Sequence, residues 1–421
     1  MQDRASIDQN RVIIVGGGPV GMITALRLAQ LDIPVVVLDA EAETPTAHRA
    51  ATTHSSTLDL LDTVGLTDEI IAQGLTARYF QYRYRTTNEV FAEFDFGRLA
   101  DESNHPYAVQ LEQHKTVAIA LAAAEKFPHF AFHREHEVVE VINAEDHAGV
   151  VTQTPAQGNQ KSERQAWRSR YVIGCDGGRS TVRKSQDINF PGFTWEERFI
   201  IVASYFDYEA ADNYCYRNYL ADPEQWCSVF KIPGPDEDAN TNGMWRNLFP
   251  VITDDPDEVV TSEPYIRNMI NTCFPYAKNL EIVHSNLYTV HQRVAESFHK
   301  NRIMLAGDSG HINNPLGGMG MNSGIADGLN LAEKIGQVWR GEVTDAQALF
   351  AQYDRQRRPL AQKYVQAQSI QNKETLQAKD PAKANARFEE MRKTADDPKR
   401  HKAFLMNASL INMVREAAAI A

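Results

Sequence analysis

Three short stretches of this chain combine glycines with single acidic residues. Gly16, Gly18 and Gly21 stand in GGGPVG, directly after the β-branched run Arg11–Val15. Cys175-Asp176-Gly177-Gly178-Arg179-Ser180 follows the apolar run YVIG. GDSGHINNPLGGMGMN, from Gly307 to Asn322, lies between an apolar run (IMLA) and a helical pattern (SGIADGLNLAEKI). Glycines there cost backbone entropy. Something is expected to approach that backbone closely.

The first stretch has a definite chemistry. Small residues at Gly16, Gly18 and Gly21, with Pro19 and Val20 between them, let a pyrophosphate reach a helix N-terminus. Backbone N–H groups and the helix dipole hold its negative charge there. Asp39, followed by Ala40, ends the next apolar run about 20 residues on and can accept hydrogen bonds from a ribose. Strands, helix, glycines and acid together predict a dinucleotide site. The alternative is a glycine turn that only packs a helix onto a sheet. The pattern does not separate NAD from FAD.

Regular elements must carry these stretches. Residues 11–40 read as a β-α-β unit with buried parallel strands. Residues 55–75 read as one helix, 78–95 as antiparallel strands and 111–125 as a helix. Strands follow near 130–142 and 147–153, then a surface turn over 154–166 and a buried strand at 171–174. Residues 187–295 change character. Runs such as FIIVASYFDY, WCSVFKI, MWRNLFPVI and NLYTVHQRVA alternate with loops rich in Pro, Gly and Asp, which predicts a second, mostly antiparallel layer. From residue 344 the chain is helical and charged, with Pro359 and Pro381 as expected breaks.

The chain has 421 residues, 43% hydrophobic and 23% charged, enough for a large core. Its net charge of -12 disfavours nucleic acid as a partner. Cys175, Cys215, Cys227 and Cys273 form no CxxC pair and no metal-like spacing, so reduced thiols and no metal are expected. The first ten residues lack the order of a signal peptide, and no apolar run reaches the roughly 18 residues of a membrane span. The expected location is the cytoplasm.

The three stretches together resemble the single-component FAD-dependent aromatic hydroxylases, the para-hydroxybenzoate hydroxylase-like family. Its members carry a GxGxxG, a D-G-x-x-S-x-x-R segment (here Asp176 to Arg183) and a G-D-A-A-H-x-x-x-P-x-x-G-x-G-x-N segment (here Gly307 to Asn322) in this order. The resemblance covers residue 11 to about 340. It implies an α/β fold: a Rossmann-like FAD-binding domain (1–80, 105–186 and 296–365), an inserted, mostly antiparallel substrate-binding sheet (81–104 and 187–295) and C-terminal helices (366–421). Gly16, Gly18 and Gly21 would cradle the FAD pyrophosphate. Asp39 would hold the adenosine ribose, where the family more often has Glu. Arg49 would lie near the flavin's phosphate and ribityl side, with Gln113 on the ribityl chain. Asp176 would support the cofactor or an incoming nicotinamide nucleotide, and Asp308 the ribityl or pyrophosphate oxygens. Pro315 to Asn322 would wrap the flavin ring, with Gly318, Gly320 and Met321 offering N–H groups at a helix start. His311 reads first as a structural histidine, and His291 and Arg293 as scaffold.

The implied reaction uses NADPH or NADH and O2 to hydroxylate a phenolic or N-heteroaromatic ring through a flavin hydroperoxide. No second GxGxxG is present, as in members that bind the nicotinamide nucleotide transiently. Such chemistry needs water exclusion and a group that takes a phenolic proton. His54 in ATTHSS is one candidate; the alternative is a helix-capping or solvent-side histidine. Tyr205 in FIIVASYFDY is a second, against a core tyrosine. Arg246 in MWRNLF could hold an anionic or nitro group, against a surface strand arginine. The chain looks most similar to the shorter nitrophenol and phenol-type monooxygenases. An epoxidase or reductase of a biosynthetic substrate could use the same scaffold. The apolar tail, including FLMNASLINMV, packs on the chain itself or on a second copy, which would make a homodimer.

Overall fold

The computed structural model describes residues 10–46, 50–156, 162–235, 243–377 and 380–421. Val12–Val15 is buried on both faces, as a continuous β-branched run dictates. It lies between two parallel neighbours, Val12 level with Val35 on one side and Tyr171 on the other. The six-stranded sheet runs His299–Lys300, Ile303–Leu305, Tyr171–Gly174, Val12–Val15, Val35–Leu38, Phe130–His133. All three glycine stretches therefore leave neighbouring strands at the same sheet edge. The helix Pro19–Gln30 opens with proline in its first turn. It packs against the long helix Met319–Trp339. At Gly328 a Cβ would stand 2.0 Å from Thr24 Oγ1, so the two helices touch backbone to side chain.

The second sheet has eight strands in the order His311–Ile312, His284–Val294, Gly192–Ser204, Met244–Val251, Cys227–Ile232, Arg217–Ala221, Tyr79–Tyr84, Val90–Asp95. Its pairs are antiparallel except Arg217–Ala221 with Tyr79–Tyr84. Residues directly opposite each other share a face. Arg217 stands opposite Phe230, Phe230 opposite Arg246, and Arg246 opposite Ala203. Tyr219 is opposite both Ser228 and Tyr82. That face looks toward the nucleotide-binding half. The other face buries Ile200, Leu220, Val229, Trp245 and Phe249 against the helix Glu263–Cys273.

Two local expectations are corrected. The stretch 55–75 is two helices, Ser55–Asp62 and Thr67–Gln73, because the chain turns through a left-handed Gly65. Pro359 does not break its helix. It sits inside Ala346–Leu360, and the next turn widens to a π-helix over Ala361–Gln366, which absorbs the missing N–H donor. Pro381 does start a new helix, Pro381–Asp396, behind the cap Asp380.

The C-terminal helices fold back onto their own chain. Leu405, Met406 and Ile411 join the same buried cluster as Phe80, Phe94 and Tyr219. Ser56 Oγ donates to Ser409 O at 2.5 Å. Among the described residues no helix is long and apolar enough to cross a membrane.

Candidate active site

The glycine turn packs without slack. Gly16 has φ +105°, and a Cβ there would lie 2.3 Å from Cys175 O. At Gly21 a Cβ would lie 2.0 Å from Gly16 O. Gly18 differs: a Cβ there would meet nothing within 4 Å. It opens the helix Pro19–Gln30, whose first turn has no side-chain cap. Those N–H groups and the clear space above them fit a phosphate. Asp39 Oδ2 accepts from Gly17 N at 2.5 Å and Oδ1 from Glu41 N at 2.8 Å, which ties the strand end to the turn. Ala40 beside it is exposed.

Asp176 faces its own segment. It accepts from Ser180 Oγ at 2.5 Å and Val182 N at 3.0 Å. Burial pushes its carboxyl up, against those hydrogen bonds. Asp308 is exposed, between buried Gly307 and Ser309. Gly307 packs against Val20, where a Cβ would lie 2.9 Å from Val20 Cγ2. The third stretch thus adjoins the first. Its core is a buried network: His311 Nε2 and Asp327 Oδ2 are 2.8 Å apart, and Arg357 Nε donates to Asp327 Oδ1 at 2.6 Å. Burial alone would raise the Asp327 carboxyl, but Arg357 and His311 hold it below its usual range. His311 is accordingly a structural histidine.

The helix Met319–Trp339 starts at Gly318, which has φ +68° and no side-chain cap. Met319, Gly320 and Met321 form its first turn, and Pro315 O accepts the Gly318 N–H at 3.0 Å. This second uncapped N-terminus fits the electron-rich edge of a flavin ring. Gln113 opens the helix Gln113–Ala124 and donates its N–H to Ala50 O at 3.2 Å. Arg49, next to Ala50, lies outside the described residues.

His54 is where the two halves meet. It occupies the cap position of Ser55–Asp62 but caps nothing. Its ring turns away, and Nε2 lies 2.7 Å from Gly317 O. A carbonyl only accepts, so Nε2 carries the proton and Nδ1 has the free lone pair. Nδ1 has no hydrogen-bond partner. The ring is 1% exposed, and burial, then the charge of Arg217, push its pKa down to about 3 despite the Gly317 carbonyl.

His54 lines a cavity between the glycine loop and the eight-stranded sheet. Gly317 and Met319 form the loop side; Phe80, Tyr82, Phe96, Arg217 and Tyr219 form the sheet side. Asn372, Phe404 and Ala408 close it from the C-terminal helices. Tyr82 and Tyr219 stack at 5.1 Å, and Phe404 stacks on Phe94 at 4.4 Å.

The other two catalytic candidates lie elsewhere. Arg246 is buried and shares the sheet face with Arg217, but Phe230 stands between them and Arg246 does not line the cavity. It is no surface arginine. Burial lowers its pKa to about 10, opposed by Glu112. Tyr205 is half-buried and packs with Ala51, Ile232 and Met244. Sequence reasoning missed Arg217, Tyr82 and Tyr219. The alternation of YFQYRY and RNYLA places them on one face, but only the strand order brings them to His54.

The sequence matches the family model described as FAD binding domain over residues 9–368. It is 29% identical over 379 residues to para-nitrophenol 4-monooxygenase of Pseudomonas sp. (strain WBC-3), covering 88% of each chain. It is 29% identical over 342 residues to 6-hydroxy-3-succinoylpyridine 3-monooxygenase of Pseudomonas putida, covering 78% of this chain and 80% of that one. The fold superposes on the crystal structure of p-nitrophenol 4-monooxygenase from Pseudomonas putida DLL-E4 with a TM-score of 0.88 and 27% identity, over 96% and 98% of the two chains.

Proposed function

We infer that this chain, which belongs to the FAD binding domain family and is a flavin-dependent aromatic monooxygenase, uses NADH or NADPH and O2 to hydroxylate a small hydroxylated ring. One observation supports this most: the loop Gly317–Met319 and the aromatic sheet face line one cavity, with His54 between them. Bound FAD supplies the oxygen activation. Gly16, Gly18 and Gly21, with Pro19 and Val20, would hold its pyrophosphate. Asp39 and Ala40 would hold the adenosine ribose, Gln113 and Asp308 the ribityl chain, and Pro315 to Asn322 the ring; Arg49, expected on the ribityl side, lies outside the described residues. Asp176 acts by holding its loop on the strand end.

His54 takes a hydrogen bond from the ring hydroxyl at Nδ1. With its pKa near 3 it does not keep a proton itself. It orients the hydroxyl and draws electron density into the ring. Phe80, Phe96 and Phe404 keep water from the reacting carbon. The cytoplasm is the proposed compartment, supported by four free thiols.

The test is direct. Purified protein is examined for a flavin spectrum. NADH and NADPH oxidation are then followed across phenols, hydroxybenzoates, hydroxypyridines and nitrophenols, with H2O2 scored in parallel. Ring-stimulated oxidation with an oxygen-containing product and little H2O2 is the expected result. A protein that FAD cannot reconstitute overturns the cofactor assignment. A flavoprotein that oxidises the nucleotide without hydroxylating any ring overturns the reaction.

A further inference from the structure

One turn of chain ties the two halves together. Leu111 N donates to Ala51 O at 2.7 Å and Gln113 N to Ala50 O at 3.2 Å, so this turn holds the segment that leads to Thr52 and His54. Glu112, between them, occupies the cap position of the helix Gln113–Ala124 but caps nothing there. It reaches across to the eight-stranded sheet instead, where Oε1 accepts the Gly234 N–H at 2.8 Å. Lys115, nearly one turn on, donates from Nζ to Gly234 O at 2.8 Å. Both backbone groups of one glycine are thus held by two charged side chains that are 3% and 8% exposed. Gly234 has φ +84° and lies just beyond Ile232, where the strand Cys227–Ile232 ends opposite Met244. This strand and its partner Met244–Val251 carry Phe230 and Leu248 on the face that looks toward the nucleotide-binding half. The Glu112 carboxylate also opposes the fall that burial causes in the Arg246 pKa. Buried charges are costly where apolar packing would serve, and replacing them by hydrocarbon is often stabilising. What they add is direction, because a hydrogen bond fixes a distance and an angle.

We propose that Glu112 and Lys115 position the two halves for oxygen transfer: their grip on Gly234 sets the gap between the glycine loop Pro315–Asn322 and the aromatic face of the sheet. This rests on the hydroxylase reading and deepens it. Two outcomes compete at such a site. With the ring in place, NADH or NADPH, a proton, O2 and a ring C–H become the oxidised nucleotide, water and a ring C–OH. With the ring out of place, the nucleotide, a proton and O2 become the oxidised nucleotide and H2O2. The nucleotide gives up two electrons in both; the ring carbon supplies two more only in the first. An error of about 1 Å costs on the order of a hundredfold in a positioned reaction, and a wider gap admits water. Glu112 and Lys115 act through Gly234 and not on the reacting atoms, so they are positioning residues.

The experiment compares FAD-loaded wild type, Lys115→Met and Glu112→Gln, with 4-nitrophenol and 4-hydroxybenzoate as the rings. Lys115→Met breaks half of the grip but also removes a buried cation and leaves Glu112 to Arg246. Glu112→Gln keeps an oxygen for the Gly234 N–H but removes the counter-charge. Lys115→Met is expected to unfold within about 5 °C of wild type and to release about threefold or more H2O2 per nucleotide oxidised. Glu112→Gln is expected to unfold more than about 5 °C lower, yet to keep its H2O2 share within about 1.5-fold of wild type. A pair that served only stability would lose oxygen transfer in step with the unfolding temperature. The second readout needs no turnover: quenching of bound FAD fluorescence by iodide, expected to rise about twofold or more in Lys115→Met and to stay near wild type in Glu112→Gln. H2O2 that follows the unfolding temperature across the three proteins overturns the proposal. So do unchanged H2O2 and unchanged quenching in Lys115→Met. The expected quenching pattern with no ring hydroxylated by wild type would leave the grip assigned and sink the hydroxylase reading instead.

Discussion

Asn322 holds His54 to the start of the helix Met319–Trp339. Its Oδ1 accepts the His54 backbone N–H at 2.8 Å. Its Nδ2 donates to Thr52 O at 2.8 Å and to Gly318 O at 2.6 Å. One amide thus joins the strand Thr52–Thr53, the His54 turn and the glycine loop. Asn322→Ala leaves a buried N–H and two carbonyls without this partner. It is expected to cost about 2–4 kcal/mol in urea unfolding and to weaken FAD retention. An unchanged midpoint with normal flavin content would show that the amide is dispensable.

The neutral state of His54 has a pH signature. Its folded pKa, about 3, lies below the usual 6.5 of an unfolded histidine. The unfolded chain therefore binds the extra proton between these values. His54 contributes stability above pH 6.5 that is lost as the pH falls toward 3. Unfolding free energies of wild type and His54→Gln, measured at pH 7 and pH 5, should differ by about 2 kcal/mol less at the lower pH. A constant difference would mean that His54 is not held neutral.

Gly16 and Gly18 differ in what they are for. Gly18 has φ -70° and open space at its Cβ position, so the fold accepts a side chain there. Gly18→Ala should change apo stability by less than about 1 kcal/mol yet lower FAD affinity about tenfold or more, because the methyl stands where a phosphate approaches. Gly16→Ala puts a Cβ 2.3 Å from Cys175 O and should damage the apo fold itself. Flavin titration beside thermal unfolding separates the two.

Asp327 satisfies Arg357, His311 and the Gly307 N–H, which lies 3.1 Å from Oδ2. Asp327→Asn leaves Arg357 buried without its counter-charge and should cost about 3–5 kcal/mol. The double variant Asp327→Leu/Arg357→Met removes both charges and should recover part of that loss. Urea unfolding of the three proteins checks it; a double variant no better than the single one would show that packing and not charge sets the cost.

What the sequence made legible was local. The glycine turn, Asp39 and the loop from Gly307 to Asn322 each sit within one strand–turn–helix unit, where spacing alone carries the geometry. The fold class followed from the same units. The cavity was not legible, because its walls are non-local. Tyr82, Arg217 and Tyr219 meet only through a parallel pairing across more than a hundred residues, and Phe404 arrives from the C-terminal helices. The segment MWRNLF offered Arg246 as a holder of an anionic or nitro group, but strand order, which one sequence does not reveal, placed it behind Phe230. Likewise ATTHSS showed a histidine ahead of a helix, while the turn of its ring toward Gly317 depends on a loop far along the chain.

The late position of Phe404 and Ala408 gives the molecule an order of birth. A ribosome delivers the nucleotide cradle and the loop through Asn322 first, and these last wall residues roughly eighty residues later, about 4–16 s at 5–20 residues per second. Through that interval the cavity that holds His54 lacks the side that Phe404 and Ala408 supply, so the site is completed only by the last part of the chain to be made.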